Sequence, residues 1–427
     1  MSASLRSFVE VAPGSDFPLG NLPYGIFSPG RTAERRVGVA LGDYVVDLAA
    51  LEATGLFADV PLGDSGTVFD AAVLNRFMGL DRRSWDAVRA RLQHLLAAET
   101  PTLRDDADLR ARVFRRRDDV TMHLPMHVGD YTDFYASREH ATNVGTMFRG
   151  PENALQPNWR HLPVGYHGRA SSIVVSGTDI RRPIGQRRPE TDGGTPRFGP
   201  SQQLDFELEL GFVIGNGNAL STPIAVDNAA DHVFGLVLVN DWSARDIQAW
   251  EYVPLGPFLG KNFATTISPW VVPLAALDPF RVSAPGQDPP PLSYLQTDTP
   301  WAFDLALEVA LQTPAMDMPH PITQVNARGL YWTVAQFVAH HTVGGCNLRP
   351  GDLLASGTVS GATPGTAGCL LEKTWRGTRP LTLSTGETRT FLDDGDRVTL
   401  RGAAERDGLR IGFGEASGTV LPARRRS

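Results

Sequence analysis

The sequence predicts a mainly β, loop-rich protein, on three observations. Glycine and proline are abundant, at 43 and 32 of 427 residues. Apolar runs are short and bounded by turn residues, and few stretches read as helices. A chain of this length suggests two domains, because domains typically hold about 100–200 residues, and it can bury a substantial core.

The first part, residues 1–118, holds strand candidates at Arg36-Val-Gly-Val-Ala and Tyr44-Val-Val-Asp-Leu. Its helix is expected over 84–98, where Trp85, Val88, Leu92, Leu95 and Leu96 recur at helical spacing, with Asp86 in the first turn, where the helix dipole favours negative charge. The basic run 110–119 reads as a solvated connector near a boundary at 118–121. The second part, 119–427, carries strand candidates over 172–176, 206–214, 233–239, 270–272, 303–311 and 396–400. One helix is expected over 327–343, stopped by Gly344-Gly345. The stretches 183–200 and 282–300, rich in Pro, Gly and charge, read as long loops.

A net charge of −7 is mild for this size, and the basic run is short and followed at once by acids, so no case for nucleic acid arises. No apolar run approaches the roughly 20 residues that span a bilayer. Cys346 and Cys369 are too few for a disulfide framework, and no apolar h-region follows Met1, so a cytoplasmic, reducing compartment is expected. Gly215-Asn-Gly-Asn-Ala-Leu220 lacks the third glycine of a dinucleotide fingerprint and reads as a turn, and the arginines at 424–426 read as a frayed tail.

Chemistry concentrates elsewhere. In 204–210 polar and apolar residues alternate, which sets Glu207 and Glu209 on one strand face roughly 7 Å apart. Two such carboxylates fit either a solvated face, the commoner case, or a metal site in which a hard cation resolves their repulsion. Asp241 ends the apolar strand 236–241, where it is placed either to act or to cap the helical turn that follows. The polar, aromatic segment 129–140 sets Asp133 and His140 seven residues apart, suited to a metal and a proton transfer respectively. The loop 251–269, fixed by Gly and Pro, ends in Lys261, Thr265 and Thr266 and suits either presentation of carbonyls and a cation or plain connection.

Five strings carry a family resemblance: Gly129-Asp-Tyr-Thr-Asp-Phe-Tyr, His140-Ala-Thr-Asn-Val-Gly-Thr-Met-Phe-Arg149-Gly, Leu162-Pro-Val-Gly-Tyr166-His-Gly-Arg-Ala-Ser-Ser, Asn240-Asp-Trp-Ser-Ala-Arg245-Asp-Ile-Gln248 and Leu354-Ala-Ser-Gly-Thr358. With Ser15-Asp-Phe-Pro and Asn21-Leu-Pro-Tyr-Gly they closely resemble the fumarylacetoacetate hydrolase family along nearly the whole chain. The resemblance implies a small N-terminal SH3-like barrel, a large β-roll or sandwich domain and a homodimer. It also implies that Asp133, Glu207, Glu209 and Asp241 bind a divalent metal, Mg²⁺ or Ca²⁺, which suits an oxygen-only set. Four negative charges exceed one such ion, so neighbouring cations are expected, with Arg245 and Lys261 the candidates.

By the same carry-over His140 is the general base, oriented by Glu372. Arg245, Gln248 and Lys261 stabilise the oxyanion, while Tyr135, Arg149, Tyr166, Gln248, Tyr252 and Thr358 hold a small-molecule substrate. A second cation would lie at Asp241, Lys261 and Thr265; Ala264 beside it replaces a family glycine, which matters if the position needs φ > 0. The implied activity is hydrolysis of a carbon–carbon bond in fumarylacetoacetate, the last step of tyrosine breakdown. The alternatives are acylpyruvate hydrolysis or oxo-acid decarboxylation on the same scaffold, or a silent metal-dependent binder.

Overall fold

The computed structural model describes residues 5–30, 34–63, 67–191 and 193–424, so Met1 to Ser4 and the arginines Arg425 and Arg426 lie outside the described residues. The protein is mainly β. Its N-terminal part curls as a half-barrel of five antiparallel strands in the order Phe114–Arg116, Tyr44–Asp47, Arg36–Leu41, Tyr24–Pro29, Val120–His123. The basic run is solvent-facing except for Val113, as expected, but it is regular structure and not a plain connector. It forms the end of the helix Ala107–Val113, whose Leu109 and Val113 are buried, then an edge strand paired with Tyr44–Val46 and a 3₁₀ turn Arg117–Asp119. The arginines mask that apolar anchoring in the sequence.

The first expected helix forms as Arg82–Leu96 and buries Trp85, Val88, Leu92, Leu95 and Leu96. Asp81 caps it, its carboxylate accepting from Ser84 N at 2.9 Å, so Asp86 lies a turn further in, 3.7 Å from Arg82.

Beyond residue 130 two sheets share a core. The mixed sheet runs in the order Gly165–Gly168, Tyr131–Phe134, Leu353–Ala355, Leu208–Ile214, Val233–Asp241, Thr265–Ile267, Ile173–Val175, with Val272–Pro273 also on Val233–Asp241. The other sheet runs His320–Asn326, Ala306–Gln312, Arg397–Arg406, Leu409–Leu421, Ile180–Arg181. Leu238, Leu307, Leu400 and Phe413 belong to the core they share.

The strand Val233–Asp241 is buried along its whole length because both of its faces are covered. Leu236 and Leu238 enter the core between the two sheets, whereas Val237 and Val239 pack with Tyr24, Phe77 and Trp85 of the N-terminal part. Near its start Val213 pairs with Gly235 and Ile214 with Val233, leaving Phe234 as the extra residue of a bulge. The bulge turns Phe234 to the N-terminal side, where its ring meets Trp85 edge-on at 5.3 Å. Tyr24 also exchanges two backbone hydrogen bonds with Val271, at 2.9 and 2.7 Å.

The stretch 183–200 is not an open loop but includes a hairpin, Ile184–Arg187 on Arg197–Pro200. The helix expected over 327–343 is shorter: a 3₁₀ turn Ala327–Gly329 precedes the helix Val334–Thr342, which starts at a capping box between Thr333 and Gln336. Two further helices, Arg138–Arg149 and Arg245–Glu251, lie where the sequence reads as polar segments. Among the described residues no helix is long and apolar enough to cross a membrane.

Candidate active site

The acidic strand does not run unbroken from Leu204. Leu204–Asp205 pairs with Ser243–Ala244, and the main ladder begins at Leu208. At the break Glu207 N donates to the Asn240 side-chain oxygen at 3.2 Å, and Glu207 O accepts from Asp241 N at 3.3 Å. Glu207 therefore stands off the ladder, beside Glu209 at the start of it. Asp241 ends the neighbouring strand, and Asp133 lies in Tyr131–Phe134, separated from Leu208–Ile214 by Leu353–Ala355. All four acids are buried, each with a carboxylate oxygen within 4.8 Å of the others'.

The two halves of this cluster differ. Lys261 Nζ lies 2.9 Å from Glu207 Oε2 and 2.6 Å from Asp241 Oδ2, and Arg245 Nη1 lies 2.5 Å from Glu207 Oε1. Thr265 Oγ1 and Tyr166 OH donate to Asp241 Oδ1 and Oδ2 at 3.0 and 3.3 Å. By contrast, both oxygens of Glu209 and Oδ1 of Asp133 are buried without a hydrogen-bond partner among the described residues.

Burial raises the Glu209 carboxyl well above its ordinary range, and the charges of Asp133, Asp241 and Glu207 raise it further. Glu207 moves the other way: burial alone would raise it, but Lys261 and Arg245 outweigh burial and hold it well below that range. Buried, unpartnered carboxylate oxygens call for a cation, and an all-oxygen set of this kind fits a hard divalent metal. By its donor chemistry and burial this acidic cluster could hold such an ion.

Beside it lies a second cluster. Ser137 caps the helix Arg138–Arg149 and accepts from His140 N at 3.3 Å, fixing His140 in the first turn. His140 Nδ1 lies 2.5 Å from Glu372 Oε2, and the His140 ring stands edge-on to Tyr135 at 5.3 Å. Asn143 Nδ2 donates to Glu372 Oε1 at 2.8 Å, while Ser360 Oγ and Cys369 Sγ donate to Oε2 at 2.7 and 3.2 Å. Burial would raise the Glu372 carboxyl; His140 and the hydrogen bonds from His140, Asn143 and Ser360 prevail and hold it at about 2. With Nδ1 held by the carboxylate, His140 Nε2 is the nitrogen left to face a reactant. The two clusters adjoin, since His140 also contributes to lowering Glu207.

The remaining predicted residues fall into two groups. Gln248 is half-buried and accepts from Arg245 Nη1 at 3.3 Å, and Thr358 Oγ1 is buried and unpartnered. Arg149 lies at the far end of the His140 helix, donating to the carbonyls of Asn153 and Ala154 at 3.0 and 2.7 Å, and Tyr252 is exposed. Ala264 is buried and is not among the residues with positive φ, so its methyl group brings the loop no backbone strain.

Sequence reasoning passed over Asp205, Asn143 and Ser360. Asp205 shares the alternation of Glu207 and Glu209, and Asn143 lies three residues after His140, one helical turn on; those spacings were the available signals.

Comparison with known proteins identifies the family. Residues 20–125 match the family Fumarylacetoacetase N-terminal, and residues 130–421 match Fumarylacetoacetate (FAA) hydrolase C-terminal. The fumarylacetoacetase of Bos taurus is 57% identical over 417 residues, 98% of this chain and 99% of the relative. Those of Homo sapiens and Arabidopsis thaliana are each 55% identical over 98% and 99% of this chain and 99% of their own. Among solved structures, a fumarylacetoacetate hydrolase from Exiguobacterium antarcticum shares the fold, with a TM-score of 0.53 and 18% identity over 94% of this chain and 100% of that one. Fold, acidic cluster and relatives matched along almost the full length place the chain in the fumarylacetoacetate hydrolase family.

Proposed function

We propose that the chain hydrolyses fumarylacetoacetate to fumarate and acetoacetate, with a Mg²⁺ or Ca²⁺ ion held by Asp133, Glu207, Glu209 and Asp241. The observation that carries this reading is the His140–Glu372 pair, 2.5 Å apart and adjoining a buried all-carboxylate cluster whose Glu209 oxygens lack partners. The bound ion supplies Lewis-acid polarisation of the substrate's oxygens and fixes their position.

The residues of the chain do the rest. His140 Nε2 takes a proton from water as the water oxygen attacks the carbonyl next to the fumaryl group, and Glu372 steadies the imidazolium that forms. Arg245, Gln248 and Lys261 stabilise the oxyanion. The carbon–carbon bond then breaks with its electron pair passing to the acetoacetate fragment, which leaves as an enolate and takes at carbon the proton that His140 removed from water, returning the imidazole to its neutral form. Tyr135, Arg149, Tyr166, Tyr252 and Thr358 hold the substrate, and the unpartnered Thr358 hydroxyl suits a substrate oxygen. Asp241, Lys261 and Thr265 form the second cation locus. The chain works as a cytoplasmic homodimer of an N-terminal domain, 1–118, and a catalytic domain, 119–427. Acylpyruvate hydrolysis, decarboxylation and silent binding are less well supported, since the curated relatives matched along the whole length are fumarylacetoacetases and the His140–Glu372 pair is intact.

His140→Ala tests the reading. The variant is expected to keep its circular dichroism and its Mg²⁺ affinity and to lose about 10²–10⁴-fold in kcat on fumarylacetoacetate, the usual share of general-base catalysis. Turnover within a few-fold of the parent would remove His140 from its role.

A further inference from the structure

Asp205 is wholly buried and lies outside both clusters, yet it touches Arg245 beside the acids and the turn that carries Glu372. Its Oδ2 lies 2.9 Å from Arg245 Nε and accepts from Leu371 N at 2.9 Å; its Oδ1 accepts from Phe206 N at 2.9 Å and from Leu370 N at 2.7 Å. Leu370 and Leu371 open the short helix Leu370–Lys373, which carries Glu372. Arg245 in turn reaches Glu207 through Nη1. One carboxylate thus fixes both the guanidinium beside the acids and the turn that presents the partner of His140.

A buried carboxylate with four donors is fully satisfied, and no oxygen of Asp205 is left for a ligand. It also lies where three separate segments meet: the stretch Leu204-Asp205-Phe206, the helix Arg245–Glu251 and the helix Leu370–Lys373. A carboxylate serving only as a local cap would engage the two amides alone. The added ion pair to Arg245 couples the turn to the charged wall of the site.

We infer that Asp205 is a positioning residue for the reaction, setting Arg245 and Glu372 in register with each other. The inference rests on the hydrolytic reading proposed above. Asp205 does not touch the substrate; it acts through the two groups it holds. Replacing one carboxylate oxygen by an amide nitrogen would set a donor against Arg245 Nε–H and Leu371 N–H while leaving one oxygen to accept from Phe206 and Leu370.

The test is D205N in the full chain, with fumarylacetoacetate turnover, KM and Mg²⁺ titration calorimetry. The expected result is a kcat lowered 10–100-fold, the range for residues that orient functional groups, with KM and Mg²⁺ affinity within about three-fold, since Asp205 bonds to none of the four acids and Lys261 still holds Glu207 at 2.9 Å when Arg245 shifts. A second readout separates positioning from general stability. The kcat loss of D205N/E372Q should be clearly smaller than the product of the two single losses, because one residue acts through the other. If D205N does not fold, D205E keeps the charge, moves it by one methylene and carries the same comparison.

An active parent with D205N at full kcat, or with a double loss equal to the product of the single losses, overturns the inference alone. A parent that does not turn over fumarylacetoacetate overturns the hydrolytic reading and the inference with it.

Discussion

Glu372 holds its charge in the interior because four side chains donate to it, and that sets a pH dependence. Its carboxyl titrates at about 2 in the folded chain, below the ordinary value of 4.5. A depressed acid contributes stability above the unfolded value and loses that contribution as pH falls toward the folded one. The window is therefore pH 4.5 down to 2, and linkage puts the contribution at roughly 3 kcal/mol, at about 1.36 kcal/mol per pH unit. Chemical unfolding of the parent and of E372Q across this range should show their stability difference shrinking as pH falls; a constant difference would contradict the assignment. Glu209 has the opposite sign. Burial and its acidic neighbours raise it, so above its ordinary pKa this carboxyl works against the metal-free fold. E209Q is expected to melt above the parent without metal and to bind Mg²⁺ at least about ten-fold more weakly. Unchanged calorimetric affinity would take Glu209 out of the ligand set.

At the scale of elements, the helix Arg138–Arg149 and its cap decide where His140 points. Ser137 Oγ accepts from His140 N and donates to Ser360 O at 3.1 Å, so one hydroxyl joins the helix start to the segment whose Ser360 holds Glu372. S137A should cost about 1 kcal/mol of stability, the usual worth of a cap, and lower kcat, while S137T restores both; a melt and a rate assay on the pair decide it. The sequence does carry this helix, in Ser137 three residues before His140 with Glu139 in the first turn, but its polar and aromatic residues hide the apolar periodicity that reveals Arg82–Leu96. The strand Val233–Asp241 was legible for the opposite reason: burial on both faces makes it apolar throughout. Pairing across the sheet is a long-range property, so the break at Phe206-Glu207, which sets Glu207 apart from a regular strand, has no local signal. The acids themselves were visible at 205, 207 and 209; which of them meet Arg245 and which stay unpartnered was not, because that depends on residues 36 and more positions away.

Across the whole molecule, the strand Val233–Asp241 belongs to both hydrophobic cores at once, through Leu236 and Leu238 on one face and Phe234, Val237 and Val239 on the other. F234A removes a fully enclosed ring that meets Trp85, Phe77 and Tyr24, and should cost about 3–5 kcal/mol. Calorimetry of this variant should show one transition moving down as a unit; two separated transitions would mean that the cores melt independently. The ammonium of Lys261 between Glu207 and Asp241 has a consequence of another kind. A fixed positive charge already stands among the acids when the chain closes, so the apoprotein need not wait for an ion to reach its native shape. On the reading proposed above, an ion would then enter a site already formed, so a chelator is expected to empty it while the far-ultraviolet circular dichroism stays unchanged.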